Sequence, residues 1–340
     1  MVDILNYQIK EISSAKLKEL DEEEKLTELR VKLKSAEKLV KYTSTVYKAL
    51  LQNDSGISAV VLIDKAIELG LSGIAITDHE CLSAHMEVNQ YAKKLRETNP
   101  EFTIALGNEI YLTDDRASGQ KYYHFILIAK DAIGHRALRE LSSIAWQNSY
   151  VDRKMERVPT LKTELEEVVN KYPGHLIATT ACLGGELSTN ALAMQLAEDV
   201  GDTANATTYY NNIINFMSFC TKLFGEDFYI ECAPATAEEQ LIVNRKLLKI
   251  ARAMNIKMVV GTDSHYLTKE DRQIHKAYLN SKGGEREVDS FYEYSRLMDY
   301  NEAKQLLILS FDNVRIFFVQ ASTQSPQPLH ISVLNVNFAI

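Results

Sequence analysis

The sequence predicts an α/β protein whose strands and helices alternate, an arrangement typical of a (β/α) barrel. Short apolar runs of β-forming residues recur along the chain, and segments with helical periodicity separate them. Strands joined by connections of that length run parallel through crossovers. Two of the runs also end alike, because Gly73–Glu80 (GIAITDHE) and Lys257–Leu267 (KMVVGTDSHYL) both close on aspartate and histidine. These shared endings predict one site to which separate strands contribute.

The composition is that of a soluble globular protein. The 340 residues are 46% hydrophobic and 25% charged, enough for one large α/β domain or two ordinary ones. The net charge of -8 argues against a polybasic nucleic-acid surface over the chain as a whole. The four cysteines form no C-x-x-C pair, and neither a signal peptide nor an apolar run of membrane-helix length is present. We therefore expect reduced thiols, a cytoplasmic location and no membrane contact.

Residues 1–52 are predicted to be a charged helical extension that precedes the barrel. Apolar residues at 3-4 spacing, from Leu26 to Val40, form one apolar stripe on this helix. The stripe fits a surface helix docked on the main domain, which we favour, or a helix that binds a partner. Tyr42–Tyr47 (YTSTVY) is rich in β-branched and aromatic residues and fits a short strand.

Residues 53–305 are predicted to form the barrel. Ser58 caps a first helix that stops at Gly70. The later predicted helices are about Ser83–Glu97, Ala132–Tyr150, Thr163–Lys171, a helical region over Glu186–Phe224, and Ala237–Asn255. The predicted strands are Gly73–Thr77, Phe102–Leu112, Tyr122–Lys130, His175–Leu183, Phe228–Cys232 and the apolar start of Lys257–Leu267. Six strands, or seven with YTSTVY, favour a barrel over an open sheet.

Residues that can bind a metal fall repeatedly at the ends of these strands. In barrels of this kind the chemistry gathers at the carboxyl ends of the strands. His124 does not fit this rule, because it begins its predicted strand. The residues that lie at carboxyl ends are Asp78, His79, Glu109, Cys182, Asp263 and His265.

Oxygen, nitrogen and sulfur ligands of these types suit zinc, manganese or iron. Several carboxylates can bridge neighbouring ions, and a multi-metal site activates water for hydrolysis of a phosphate ester. Each residue alone has a simpler interpretation, since an Asp-His pair can cap a helix and Cys182 can be a small buried hydrophobe. We interpret Glu231 as structural, and His85, His135 and His275 as surface residues on helices.

The last 35 residues, 306–340, differ from the rest of the chain. They are apolar and rich in β-formers, with Asp312 and Arg315 as their only charges. We expect an atypical tail, disordered or frameshifted, whose deletion at about Lys304 leaves the fold intact.

Five separated motifs, in this order and spacing, resemble the PHP (polymerase and histidinol phosphatase) domain: GIAITDHE, the glutamate of LGNEIYL, the histidine of YYHFILIAK, ATTACLGGEL and GTDSHYL. With His275–Asn280 and Ser290–Met298, the last two motifs resemble the N-terminal region of bacterial or phage DNA polymerase III alpha subunits, the C-family replicases. The resemblance covers about Ala59 to Leu306. It implies a distorted (β/α)7 barrel with up to three divalent metal ions, zinc or manganese. The implied metal ligands are His79, Glu109, His124, Cys182, Asp263 and His265, with Asp78 beside them.

The chain departs from the family pattern at its beginning. Complete PHP sites open with a His-x-His strand, but no histidine precedes His79, and the corresponding stretch has Tyr42, Thr43 and Ser44 instead. We therefore expect fewer than three metal ions. The palm carboxylates that such polymerases use for nucleotide addition are also absent from this sequence, so we expect no polymerisation by it alone.

Three functions follow from the resemblance. The first is the PHP region of a DNA polymerase III alpha subunit in DNA replication, present as a fragment with a mainly structural role, packed on a polymerase core and reaching DNA through that core. The second is a stand-alone metal-dependent phosphoesterase, similar to histidinol phosphatase or to a 3'-5' exonuclease. The third is a non-catalytic interaction module that uses the helix at Leu26–Val40. The missing His-x-His motif favours the first over the second.

Overall fold

The computed structural model describes residues 5–10, 59–116, 120–152, 155–273, 295–310, 318–319 and 337–338. The chain divides into two units at Ile57, and of the first unit only a short helical segment, residues 5–10, is described. The predicted helix over Leu26–Val40 and the predicted YTSTVY strand lie outside the described residues. So does His275.

The second unit alternates helices and strands, as the sequence predicts. The helices are α1 (Ala59–Glu68), α2 (Ala84–Leu95), α3 (Ala132–Gln147), α4 (Lys162–Lys171), α5 (Glu186–Asp199), α6 (Thr203–Phe224), α7 (Glu238–Met254) and α8 (Tyr300–Ser310). The strands are β1 (Gly73–Ile76), β2 (Thr103–Thr113), β3 (Tyr123–Ala129), β4 (Tyr150–Asp152), β5 (Met155–Arg157), β6 (Pro159–Leu161), β7 (Leu176–Thr179), β8 (Phe228–Cys232), β9 (Met258–Val260), β10 (Phe318–Val319) and β11 (Asn337–Phe338).

Seven of these strands form one sheet that curls into a half-barrel. Their order is β1-β2-β3-β7-β8-β9, and β6 pairs with the far end of β2. The mixed α/β architecture confirms the predicted fold class, a distorted barrel of the PHP type. Within the described part of the chain, the strand that brings the sheet to seven is β6, which lies between the predicted helices Ala132–Tyr150 and Thr163–Lys171, where the sequence analysis places no strand.

The prediction that all strands run parallel is wrong for β3. This strand is antiparallel to both of its neighbours, β2 and β7. The link between Thr113 and Tyr123 explains the difference, because it is shorter than the dozen or more residues that a parallel crossover requires. The reversal brings the start of β3 to the edge where β1, β2 and β7 end. His124, the second residue of β3, therefore lies at the same rim as the residues that follow the parallel strands.

A small antiparallel hairpin, β4 with β5, precedes β6. The pairing of β6 with β2 puts Pro159 opposite Tyr111. Arg116 fixes this edge, since its guanidinium donates from Nε and Nη2 to the Pro159 carbonyl at 3.2 and 3.1 Å. Strands of three residues are too short to show a period of two, which is why the sequence does not reveal them.

The main hydrophobic core lies between the sheet and helices α3, α5, α6 and α7. Phe125 of β3 packs edge-on against Phe216 and also contacts Phe224, with ring centroids 5.8 and 6.1 Å apart. Helix α3 approaches the sheet closely at Gly134, where a Cβ atom would lie 2.1 Å from the His175 carbonyl oxygen. No helix in the described ranges has the length and apolar character needed to span a membrane.

The sequence predicts that the barrel ends at residue 305, but this residue lies inside helix α8. The helix continues to Ser310, and Leu307 is fully buried in the main core. Because a truncation at Lys304 would remove Leu307, the proposed removal of the tail is better placed after Ser310. Strands β10 and β11 pair antiparallel with each other within the predicted tail.

Candidate metal centre

The ends of β1 and β2 and the start of β3 come together at one rim of the half-barrel. His79 forms a bridge with Glu109, and His124 forms one with Gly185. Tyr111 pairs with His124 across the β2–β3 ladder, while Glu109 lies two residues earlier on the same face of β2. Backbone pairing thus sets the positions of three side chains of metal-ligand type from three separate motifs.

His79, Glu109 and His124 form a compact cluster. His124 Nδ1 lies 2.7 Å from Glu109 Oε1, and His79 Nδ1 lies 3.7 Å from Glu109 Oε2. One ligand atom from each residue falls within 4.8 Å of the other two. Glu109 is buried, whereas His79 is exposed and His124 is partly exposed, so the cluster opens to solvent on its histidine side.

Cys182 borders the same cluster. Its Sγ lies 3.4 Å from His124 Nδ1 and 3.4 Å from the Gly184 amide. Gly184 is required here, because a Cβ atom at this position would lie 2.9 Å from the His124 ring. The glycine pair that follows Cys182 therefore allows the thiol loop to approach the imidazole.

Asp263 and His265 lie beside the cluster rather than within it. The His265 and His79 rings are 6.3 Å apart between centroids, and Asp263 Oδ1 lies 3.6 Å from His265 Nδ1. The His265 ring also approaches the Asp263 carbonyl oxygen, at 2.7 Å. The DSHY motif thus contributes a second pair of ligand types next to the first three.

Asp78 contributes chiefly through its backbone. Its carbonyl oxygen accepts a hydrogen bond from the Glu109 amide at 3.1 Å, which fixes the start of the loop against β2. Its carboxylate is not one of the three clustered groups. Burial raises the pKa of this carboxyl, and the adjacent His79 partly offsets the effect.

Three residues of the rim loops adopt positive φ angles although none is glycine. They are Glu80, Ala181 and Asp263, with φ of 49°, 56° and 46°. Such conformations cost free energy and persist only where the surrounding structure holds them. Each of the three lies within two residues of a predicted ligand, so the strain is concentrated at the candidate site.

The charges of the cluster are mutually dependent. Burial opposes the ionisation of Glu109, but the imidazoles of His124, His79 and His265 outweigh it and lower the pKa of this carboxyl. Burial also disfavours the charged form of His124, yet Glu109 raises the pKa of His124 above its usual value. Burial raises the pKa of Asp263, with a further contribution from Glu109 and opposition from the three histidines.

Glu231 is a buried glutamate close to the rim. Glu231, which we interpret from sequence as structural, accepts a hydrogen bond from Thr179 Oγ1 at 2.6 Å. It fills the space beside Gly261, where a Cβ atom would lie 1.8 Å from Glu231 Oε1. Burial raises the pKa of Glu231 to about 8, and Asp263 and Glu109 add to the effect.

Glu80 is a residue that sequence reasoning missed, although it directly follows the Asp-His pair. Its Oε1 accepts a hydrogen bond from the Tyr111 amide, and its backbone oxygen accepts one from the Trp146 indole at 2.7 Å. Burial raises the pKa of Glu80 to about 8. The sequence did offer a signal, because Glu80 ends the motif that supplies the predicted ligands Asp78 and His79.

The donors present at the rim fit a divalent metal ion. Glu109 is buried, and its Oε1 and Oε2 lie 2.7 Å from His124 Nδ1 and 3.7 Å from His79 Nδ1. A buried carboxylate costs free energy unless positive or hydrogen-bonding groups surround it, and a divalent ion would serve beside the two imidazoles. Two imidazoles and a carboxylate are a donor set that zinc and manganese accept.

The prediction that His85 is a surface residue is wrong. His85 is 4% exposed, and its Nε2 lies 2.9 Å from the Gly107 carbonyl oxygen. Its Nδ1 lies 3.1 Å from Nε2 of His135, which is itself only partly exposed. The reason is that His85 falls on the apolar face of α2, together with Val88 and Leu95.

Comparison with known proteins identifies the family of this sequence. The PHP domain family model matches residues 49–235. A "Probable DNA polymerase YorL" of Bacillus subtilis and a "DNA-directed DNA polymerase" of Bacillus phage SPbeta are each 44% identical to the chain over 261 residues. A "DNA polymerase III subunit alpha" of Borreliella burgdorferi is 32% identical over 219 residues. These matches cover 73%, 73% and 62% of this chain, and 20%, 20% and 17% of the relatives, so the chain spans about a fifth of their length.

Proposed function

Since the chain belongs to the PHP domain family, we propose that it is the PHP region of a DNA polymerase that acts in DNA replication. The support is the similarity to polymerases of a Bacillus phage and of several bacteria. The proposal includes a polymerase core as partner, DNA reached through that core, and a cytoplasmic location.

We further propose that the rim binds fewer divalent ions than the three of a complete PHP site. The observation that supports metal binding is the buried Glu109 carboxylate, whose two oxygens face the imidazoles of His124 and His79. The proposed ligands are His79, Glu109, His124, Cys182, Asp263 and His265, with Asp78 beside them. The lower ion number follows from the sequence, in which no histidine precedes His79.

A second candidate function, hydrolysis of phosphate esters, is favoured by the same cluster. A divalent ion at such a site activates water and offsets the negative charge of a phosphoryl group. The residues of this chain would bind the ion through Glu109 and the imidazoles, while Asp263 orients His265. The positive φ of Asp263 shows that the surrounding structure holds this loop in one conformation.

Metal content and hydrolysis can be measured on the same purified chain. We expect at least one Mn²⁺ per chain by plasma mass spectrometry, and Mn²⁺-dependent turnover of bis(p-nitrophenyl) phosphate. The test variant is Asp263→Asn rather than Asp263→Ala. Asp263 has a positive φ angle, which asparagine tolerates better than alanine does. Asp131→Asn is its matched control, since Asp131 is an exposed helix cap on α3.

The outcomes separate the two candidates. Metal binding with turnover that Asp263→Asn abolishes supports the hydrolytic function. Metal binding without turnover supports a structural role beside a polymerase core. Absence of metal contradicts the metal site, and failure to co-purify with the remainder of the SPbeta polymerase contradicts the proposed partner.

A further inference from the structure

We propose that Trp146 is a positioning residue for the metal cluster, because its indole N–H holds the loop that places His79 beside Glu109. Trp146 lies in the last turn of α3, and the loop runs from the end of β1 to the start of α2. The inference rests on the proposed metal site and adds a residue that is not itself a ligand. It also gives a role to the single tryptophan of the sequence.

His79 is the residue of the cluster that the sheet holds least. Glu109 and His124 lie within β2 and β3, so the β2–β3 ladder fixes both backbones. His79 comes three residues after β1 ends at Ile76, and its side chain is 37% exposed, against 5% for Glu109 and 28% for His124. The position of His79 therefore depends on the contacts of the loop around it.

Two backbone hydrogen bonds clamp His79 against β2. The Glu109 amide donates to the Asp78 carbonyl oxygen at 3.1 Å, and the Glu80 amide donates to the Glu109 carbonyl oxygen at 3.0 Å. These bonds form the parallel bridge between His79 and Glu109. Glu80 has a positive φ of 49° in this arrangement, which costs a residue other than glycine free energy. Further contacts must therefore hold Glu80 in place.

Trp146 supplies one of these contacts from outside the sheet. Its Nε1–H donates to the Glu80 carbonyl oxygen at 2.7 Å. A second contact, from the Tyr111 amide to Glu80 Oε1, comes from β2 itself. The indole therefore fixes the peptide group that follows Glu80, while β2 fixes the Glu80 amide and side chain.

Helix α3 is a rigid base for the indole contact. Leu141 and Ala145 of this helix are buried in the main core, with exposures of 1% and 0%. At the other end, Asp131 caps the helix by accepting hydrogen bonds from the Ile133 and Gly134 amides. A packed helix holds a site more precisely than a loop does. Trp146 thus connects the His79 loop to the hydrophobic core.

The substitution Trp146→Phe removes this contact without unfolding the chain. Trp146 is 45% exposed, so its replacement by another aromatic residue should disturb the core little. Phenylalanine keeps a ring at the position and lacks the N–H donor. Water can then reach the Glu80 carbonyl oxygen, but water does not tie the loop to α3.

Hydrogen exchange of the metal-free protein, followed by NMR, tests the contact directly. We expect Trp146→Phe to speed exchange of the Glu80 and Glu109 amides about three- to tenfold, on the scale of one lost hydrogen bond. Exchange of the Leu141 amide in the core should not change. Tyr210→Phe is the matched control, because Tyr210 of α6 is 44% exposed and this variant also loses a polar group and keeps its ring. Thermal melting shows whether each variant is folded.

A double-mutant cycle tests whether Trp146 acts through His79. Mn²⁺ affinity is measured by electron paramagnetic resonance of the free ion. Trp146→Phe should weaken Mn²⁺ binding about tenfold in the wild-type chain, which is the scale for residues that orient metal ligands. In a His79→Ala chain the same substitution should change the affinity less than twofold, because the side chain that it positions is gone. A merely structural role would give equal losses in both chains.

The outcomes separate this inference from the proposed metal site. Faster exchange of the Glu80 and Glu109 amides in folded Trp146→Phe, with wild-type exchange in Tyr210→Phe, supports the hold on the His79 loop even if the wild-type chain binds no Mn²⁺. That second result would contradict the metal site alone. Unchanged exchange of both amides in Trp146→Phe overturns the inference, as does an equal loss of Mn²⁺ affinity with and without His79.

Discussion

Two pairs of histidines lie close to β2, and they differ in what surrounds them. At the rim, His79 and His124 share the carboxylate of Glu109. Below it, His85 and His135 contact each other, and His85 also contacts the backbone oxygen of Gly107. Both pairs combine short distances with partial or complete burial, so proximity alone does not distinguish a metal site from packing.

The pKa shifts show the difference. Burial lowers the pKa of His85 to about 4, with a contribution from His135 and slight opposition from the Gly107 carbonyl. At the rim, the Glu109 carboxylate overcomes the effect of burial and raises the pKa of His124. The shared buried carboxylate therefore distinguishes the proposed metal site from the His85–His135 pair, which we interpret as neutral packing. The predictions below test this contrast.

The largest expected effect is on hydrolysis. His124→Ala should lower Mn²⁺-dependent turnover of bis(p-nitrophenyl) phosphate at least about 100-fold, because even groups that only orient ligands contribute about 10–100-fold. His135→Ala is the matched histidine variant and should retain turnover. Equal losses in both variants would show that the two pairs do not differ in function.

The buried histidine pair should matter for stability rather than for hydrolysis. His85→Ala removes two polar contacts and leaves a cavity, which should lower the free energy of unfolding by about 2–4 kcal/mol. Chemical denaturation of the metal-free protein measures this change, and metal binding by the folded variant should be unaltered. A metal-free His85→Ala protein as stable as wild type would refute the packing role.

The two pairs also predict a pH dependence. Because the pKa of folded His85 is about 4 and its usual value is 6.5, the unfolded chain binds a proton that the folded chain does not between these values. His85 should therefore cost stability as pH falls from about 6.5 to 4, by on the order of 1–3 kcal/mol. His85→Leu should flatten this part of the stability profile. A profile as steep as that of wild type would contradict the assignment.

The smallest expected effect concerns Cys182, whose thiol lies beside the His124 ring. A thiolate is a softer ligand than an alcohol and favours zinc over manganese. Cys182→Ser should therefore weaken Zn²⁺ binding about tenfold while changing Mn²⁺ binding less than threefold, as measured by competition with a chelating dye. The buried Cys220→Ser serves as the cysteine control. Equal losses for both ions would mean that the Cys182 thiol does not bind the metal.

Much of this arrangement is encoded in local sequence. The apolar runs of β1 and β2 and the Asp-His and Glu residues that end them are contiguous signals, and the structure brings His79 and Glu109 together. The direction of β3 was also encoded, because the link after Thr113 is too short for a crossover. Reading link length together with strand pattern would have placed His124 at the rim.

Other features depend on contacts that no local pattern shows. The burial of His85 could have been inferred from its position on the apolar face of α2. The pairing of β6 with β2 could not, since β6 is only three residues long and meets β2 only in the folded chain. Long-range pairing of short strands leaves little periodicity to detect.

The most direct test of the metal site is the metal content of Glu109→Gln beside that of wild type. Glutamine keeps the size of the side chain and removes the charge that the two imidazoles share. After equilibration with Mn²⁺ and gel filtration, we predict at least one bound ion in the wild-type chain and none in the folded variant. An equal number of ions in both proteins would contradict the account.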